Sequence, residues 1–405
     1  MGANEEMLAE CFWKGESFKE FGVFVCRFFK DGQVMFVIID DRIPCKVKDG
    51  KVIFAGCKDP DELWVPLIEK AYAKLHGCYK ALIGGYTHYG LADMTGFNPR
   101  LIVMKKGFPG YCAEYSIEEM WALLVKYKKW NCLMGTSIQP NPKEAHKVEA
   151  EVGYGLHSGH AYSLLDVNEI TLDPPLDGKT TERLIKLRNP WGRGEWEGIF
   201  GDRSDEREAY DETITKVFEQ KNTAEEIAVN FNDGTFFMPF SEWYSRFTSV
   251  FIAVNFPKDT WVGKRTQGVW NKDVGGNRDM GTWFSNPKIK FKIKGPPGKK
   301  VPVFVGLYIR DSRLTMGFDY FKDPLYATPL GFDIVTKEAF EKMEAADKRK
   351  NITHGYKNEN GDELAQPCNT NTYTLNYTNT NINTNSYSIH VWKYTNRSIS
   401  RIRTR

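Results

Sequence analysis

Two short apolar segments of the chain each carry one strongly polar side chain. His160 lies in Gly-His-Ala-Tyr-Ser-Leu-Leu-Asp-Val (159–167), and Asn189 lies in Leu-Arg-Asn-Pro-Trp-Gly (187–192). Apolar runs of this length are typical of buried strands. We therefore predict two neighbouring strands that deliver an imidazole and a carboxamide to one shared place.

A histidine and an asparagine held side by side are two members of a Cys-His-Asn thiol-protease site. In that chemistry a thiolate attacks an amide carbonyl, while the imidazole takes the thiol proton and later donates one to the leaving amine. The asparagine oxygen orients the ring through its other nitrogen, and Trp191 is expected to keep water from that hydrogen bond. The residues alone leave a second reading open, in which His160 is a satisfied core histidine and Asn-Pro is a turn.

The composition excludes several functional classes. A length of 405 residues suggests two or three domains, and a net charge of +3 gives no electrostatic basis for binding nucleic acid. None of the eight cysteines forms a C-x-x-C pair, which argues against zinc ribbons and redox motifs. The acidic start lacks the apolar region of a secretory signal, so we expect a cytoplasmic protein.

Local signals predict several elements. Two β-rich runs flank a Lys-Asp-Gly turn (30–32), and residues 60–76 favour a helix. Ser-Ile-Glu-Glu (116–119) is a capping box that opens a helix to about Lys129. The polar stretch 203–229 is expected to form a surface helix.

The pattern changes after Phe256 to short strands and turns. Residues 288–294 alternate lysine with apolar residues, and residues 301–309 are more apolar, which together predict a β-sandwich with one lysine-rich face. We expect that face to be solvated; the alternative is weak contact with an anionic membrane. The lysines concerned are Lys288, Lys290, Lys292 and Lys294.

Six segments together resemble the calpain family of cysteine peptidases. The strongest are Gly-His-Ala-Tyr-Ser (159–163) and Arg-Asn-Pro-Trp-Gly (188–192), which closely resemble the family's histidine and asparagine motifs. The others are Ile-Ile-Asp-Asp-Arg-Ile-Pro (38–44), Gly-Gly (84–85), Met-Thr-Gly (94–96) and Phe-Ser-Glu-Trp (240–243). The resemblance extends over about 1–330.

The fold implied is α+β, an incomplete papain-like calpain protease core followed by a β-sandwich domain and a low-complexity tail. Residues 1–95 would be the remnant of the first core subdomain, and residues 96–255 the second subdomain with its histidine and asparagine. Residues 256–350 would form the β-sandwich. The Asn/Thr-rich tail, 351–405, is predicted to be disordered because it cannot bury enough apolar area to offset ordering.

The nucleophile of the family has no match in this sequence. In calpains it follows a Gln-Gly-x-x-Gly-Asp motif and begins a buried helix, whose far end resembles Asn-Glu-Glu-Met-Leu (4–8) here. The resemblance therefore predicts a chain truncated before its nucleophile. Cys11 lies past that helix end, where a helix N-terminus could not lower its pKa.

The expected function is that of a calpain-like, calcium-dependent cysteine endopeptidase whose chain lacks the catalytic cysteine and is inactive as written. The alternative is a non-catalytic calpain homologue that acts as a regulatory or protein-binding module. Its partners would be protein substrates or other proteins. A transamidating enzyme is a weaker third reading, since it would need an aspartate in place of Asn189.

The resemblance also implies calcium, which prefers six to eight oxygen ligands. It places ligands at Glu195, Asp202 and Asp233, with a backbone carbonyl near Phe231. The family usually has a further glutamate where this chain has Thr235, so the site is expected to be weakened. A second family site uses a glutamate that matches Glu62, and its other ligands have no match here.

Overall fold

The computed structural model describes residues 5–14, 18–57, 59, 61–108, 111, 114–140, 149–218, 233–269, 288–292, 301–309, 311, 313, 330–336, 338–339, 341–342, 372–379 and 386–394. These residues form two compact units. The first comprises Met1–Phe29, Val34–Tyr72 and Gly84–Asn255, and the second comprises Lys30–Gln33, Ala73–Ile83 and Phe256–Arg405.

The described residues contain both strands and helices, so the fold is mixed α and β. The strands are β1 Val23–Lys30, β2 Gln33–Asp40, β3 Asn98–Val103, β4 Leu133–Ser137, β5 Ala161–Leu176, β6 Lys179–Arg188, β7 Thr235–Pro239, β8 Ser249–Val254, β9 Trp261–Val269, β10 Lys288–Lys292, β11 Val303–Ile309, β12 Leu330–Thr336, β13 Thr372–Asn379 and β14 Ser386–Tyr394. The α-helices are α1 Glu5–Ala9, α2 Trp64–Leu75, α3 Thr87–Thr95, α4 Ile117–Lys129, α5 Asp205–Ala209, α6 Asp211–Phe218 and α7 Phe240–Arg246.

A six-stranded antiparallel sheet organises the first unit, with the order β3-β8-β4-β5-β6-β7. All six residues of β8 are buried, which makes that strand part of the core. β5 and β6 pair antiparallel with Ser163 opposite Arg188, so the start of β5 and the end of β6 meet at the same end of the sheet. This register brings the residues just before β5 next to those just after β6.

Helices pack on this sheet through regularly spaced apolar residues. α4 begins at the predicted capping box, in which Ser116 and Glu119 each accept the other's backbone N–H. It buries Met120, Leu124 and Tyr127, which lie on one face at helical spacing. The structure therefore confirms this helix.

The region predicted as one surface helix differs from that expectation. Residues 205–218 form α5 and α6, and α6 buries Ile214 and Phe218 in a cluster with Phe237 and Leu184. The stretch is mostly polar and is therefore predicted to lie on the surface. Its two buried apolar residues share one helix face at an i, i+4 spacing. The rest of the predicted helix, 219–229, lies outside the described residues.

The second unit contains two three-stranded antiparallel sheets, with the orders β10-β13-β12 and β11-β14-β9. β13 and β14 lie inside the Asn/Thr-rich tail, which differs from the disorder that the sequence predicts for it. Threonine and tyrosine favour strands, and in both segments they find partner strands from earlier in the chain. Of the lysine-rich stretch, β10 includes Lys288, Lys290 and Lys292, whereas Lys294 lies outside the described residues. Among the helices described, none has the length and apolar character needed to cross a membrane.

Candidate active site

His160 and Asn189 contact each other at the end of the central sheet. His160 precedes β5 and Asn189 follows β6, and their side chains meet with His160 Nε2 2.8 Å from Asn189 Oδ1. The histidine is 6% exposed and the asparagine is fully buried. A hydrogen bond this well shielded from water holds the ring in a fixed orientation.

The partners of the Asn189 amide fix the protonation of the ring. Its Oδ1 also accepts the backbone N–H of Trp191 at 3.0 Å, and its Nδ2 donates to the carbonyl of Gly194 at 2.9 Å. Turning the amide over would oppose donor to donor and acceptor to acceptor, so Oδ1 faces His160. Nε2 must then carry the proton, and in the neutral ring Nδ1 is the nitrogen free to accept one.

Trp191 covers this pair from the solvent side. Its ring centroid lies 4.0 Å from that of His160 and 5.1 Å from that of His157, and the indole itself remains 42% exposed. Burial lowers the pKa of His160, while the Asn189 hydrogen bond and the Glu149 carboxylate act in the opposite direction. The neutral imidazole is therefore favoured, as a general base requires.

No thiol among the described residues contacts Nδ1 of His160. Cys11 donates to the carbonyls of Met7 and Met94, and Cys132 accepts the backbone N–H of Asn255. Burial raises the pKa of Cys11 to about 11 and those of Cys26 and Cys132 to about 12, so these thiols stay protonated. The group that does approach Nδ1 is the Glu149 carboxylate, at 3.9 Å.

Three acidic residues, Glu195, Asp202 and Asp233, lie near the His160–Asn189 pair. Glu195 accepts the backbone N–H of Gly234 at 2.7 Å, and Asp233 accepts that of Thr235 at 2.6 Å. Burial raises the pKa of Asp202 to about 6, and the carboxylates of Glu195 and Asp233 add to the effect. The carboxylates of Glu195 and Asp233 are therefore close enough to act on that of Asp202, but the ligand oxygens of the three residues do not all lie within 4.8 Å of one another.

The two other residues named for calcium are Phe231, expected at this cluster, and Glu62, expected at a second site. Phe231 lies outside the described residues. Glu62 is exposed just before α2, where its carboxylate accepts the indole N–H of Trp64 at 3.3 Å. Glu62 therefore has a local hydrogen-bond partner two residues away.

Backbone groups connect the acidic cluster to Asn189. Gly234 donates its N–H to Glu195 and accepts the N–H of Asn189 at 2.7 Å. Gly194, which accepts from the Asn189 side chain, directly precedes Glu195. A Cβ on Gly234, whose φ is +85°, would lie 2.5 Å from the Asn189 carbonyl oxygen, so only glycine fits there. Sequence reasoning missed Gly234 because its partners, Asn189 and Glu195, lie about 40 residues earlier in the chain, and it missed Gly194 because a backbone carbonyl leaves no signal in the sequence.

Comparison with known proteins shows the family of this chain. The profile of calpain family cysteine proteases matches residues 1–254. Calpain-B of Drosophila melanogaster is 33% identical over 297 residues, covering 68% of this chain and 29% of that protein. Calpain-5 of Mus musculus is 31% identical over 331 residues, covering 74% and 49%, and the calpain-type cysteine protease ADL1 of Oryza sativa subsp. japonica is 32% identical over 307 residues, covering 74% and 13%. The chain spans less than half the length of these relatives, and it belongs to the calpain family of cysteine proteases.

Proposed function

We propose that the chain carries the proton-transfer half of an active site, His160 and Asn189. The enzyme would be a calcium-dependent cysteine endopeptidase that cleaves proteins in the cytoplasm. The observation that carries this proposal is the His160–Asn189 hydrogen bond, which leaves Nδ1 as the proton acceptor. That nitrogen would take a thiol proton and return it to the leaving amine. Asn189 holds the ring in place, and Trp191 keeps water from the bond between them.

The 405 residues alone are proposed to be inactive in peptide hydrolysis. Cys11 and Cys132 form hydrogen bonds elsewhere, and burial raises the pKa values of the Cys11, Cys26 and Cys132 thiols. Without a thiolate at Nδ1 the covalent step has no nucleophile, and such a loss costs many orders of magnitude in rate. Cys112 and Cys368 lie outside the described residues.

Calcium is proposed to bind Glu195, Asp202 and Asp233, with the Phe231 carbonyl as a further ligand. The raised pKa of Asp202 supports this, because a divalent cation would relieve the repulsion among the three carboxylates. Thr235 offers no carboxylate, which weakens the site. The ion would act by fixing Gly194 and Gly234, and through them Asn189.

A second candidate function is a non-catalytic, protein-binding calpain homologue. The observation in its favour is Glu149, whose carboxylate approaches the ring nitrogen that a thiol would otherwise face. Such a protein would keep the fold and the acidic cluster while performing no hydrolysis.

Casein is a suitable probe for both candidates, because it is an extended protein with many cleavable bonds. The purified chain is incubated with casein in calcium and in chelator, and both cleavage and binding are measured. We expect no cleavage above a His160→Gln control. Cleavage that this control abolishes would contradict the proposed inactivity, whereas calcium-dependent binding without cleavage would favour the second candidate.

A further inference from the structure

Glu149 directly precedes a short closed loop, 150–158, that leads into His160. Ser158 donates its backbone N–H to Ala150 at 2.8 Å, and Val152 donates to Leu156 at 2.8 Å. Glu149 itself adopts a left-handed backbone conformation with φ of 59°, which is uncommon for a residue other than glycine. The loop therefore sets where this carboxylate lies relative to the imidazole.

The carboxylate approaches the one ring nitrogen that can gain a proton. Glu149 Oε1 lies 3.9 Å from His160 Nδ1, and the Glu149 side chain is 54% exposed while that of His160 is 6% exposed. Nε2 is committed to Asn189, so a second proton can only enter at Nδ1. An anion on that side favours the charged ring.

The other groups around His160 supply no competing anion among the described residues. Asn189, Trp191 and Tyr162 contact the ring as neutral groups. His157 is the remaining titratable neighbour, and its charge acts against protonation of His160. Burial and the charge of His157 both lower the pKa of His160. Among the described residues, Glu149 is the carboxylate that raises it.

We propose that Glu149 is a positioning residue for proton transfer, the counter-ion of the imidazolium that forms when Nδ1 of His160 takes up a proton. In a thiolate–imidazolium pair the sulfur provides that negative charge. Here the loop supplies a carboxylate on the same side of the ring. The inference rests on the proposed function for its role in catalysis, but its test requires no hydrolysis.

The test is an NMR titration of the full chain labelled with ¹⁵N-histidine, with His160 assigned through the His160→Gln variant. Glu149→Gln removes the charge while keeping the shape of the side chain, and Glu151→Gln makes the same change two residues away in the same loop. We expect Glu149→Gln to weaken proton binding at His160 by about threefold at low salt, since the pair is partly exposed. The effect should shrink in high salt, and Glu151→Gln should have a smaller effect.

Three results would overturn the inference: unchanged proton binding in Glu149→Gln, stronger binding, or an equal effect of Glu151→Gln. A Glu149→Asp variant, which retains the charge, should restore at least part of the proton affinity. These outcomes are independent of the casein experiment. An inactive chain can show the Glu149 effect, and an active chain can lack it.

Discussion

The His160–Asn189 pair and the acidic cluster lie near each other in one unit, but they differ in how their polar groups are satisfied. The pair satisfies its own hydrogen bonds, with Asn189 making three through its side chain alone. The cluster instead concentrates negative charge, and Asp202 has no hydrogen-bond donor among the described residues. The His160–Asn189 pair therefore has its hydrogen bonds complete in the folded chain, whereas burial and mutual repulsion disfavour the charged form of Asp202 in the acidic cluster.

Removing Asn189 should have the largest effect. Asn189→Ala leaves the Nε2–H of His160, the N–H of Trp191 and the carbonyl of Gly194 without their partner inside the protein. We expect a loss of about 3 kcal/mol or more in the free energy of unfolding, because each buried group left unpaired costs about 1–3 kcal/mol. Urea unfolding measures this loss.

Asn168 offers a matched control on β5. Its side chain bonds Lys128 and Asp166 at a partly exposed position, so Asn168→Ala should cost less than about 1 kcal/mol. Equal losses for the two variants would mean that the buried pair is not specially stabilised.

The contributions of the two regions to the free energy of unfolding should change with pH in opposite directions. The folded pKa of Asp202, about 6, exceeds its ordinary 3.8, so its stabilising contribution is full below 3.8 and lost as the pH rises through 6. The pKa of His160 is lowered from 6.5, so folding is penalised as the pH falls below 6.5. Unfolding measured across this range without calcium should show both trends.

Asp202→Asn separates the two trends. The variant should no longer lose stability as the pH rises through 6, but it should still be destabilised at low pH by His160. At neutral pH we expect its free energy of unfolding to be higher by on the order of 2 kcal/mol, after allowance for partial exposure. If stability in this variant depends on pH as it does in the unmodified chain, Asp202 is not the group whose ionisation destabilises the fold.

Substitution of Thr235 should have the smallest effect, and it tests the affinity of the proposed site for calcium. Thr235→Glu should tighten calcium binding about tenfold, equivalent to about 1.4 kcal/mol, because it adds a carboxylate ligand. Thr235→Gln keeps the size without the charge and should give less. Isothermal titration calorimetry measures both, and a glutamate variant that binds no better than the glutamine variant would remove Thr235 from the site.

The sequence predicts those features whose signal is local or repeats along one element. The capping box at Ser116 and the apolar face of α4 are of this kind, because the interacting groups lie within four residues. The neighbouring strands before and after the Asp177 turn could also be predicted, and their register brings His160 to Asn189.

The features that could not be predicted depend on contacts between distant segments. Gly234 lies against Asn189, and Glu149 faces His160 only because of a left-handed residue in a loop. The strands at 372–379 and 386–394 depend on partners far away in the chain, which overrides the disorder expected from composition.

The tautomer of His160 is the most direct measurement of whether the proton-transfer half is complete before any cation binds. ¹⁵N chemical shifts of the ring, recorded well above its pKa and without calcium, distinguish the two neutral forms. We expect the proton on Nε2, with no change when calcium is added. A proton on Nδ1, or a ring that averages between the two forms until calcium arrives, would contradict the account.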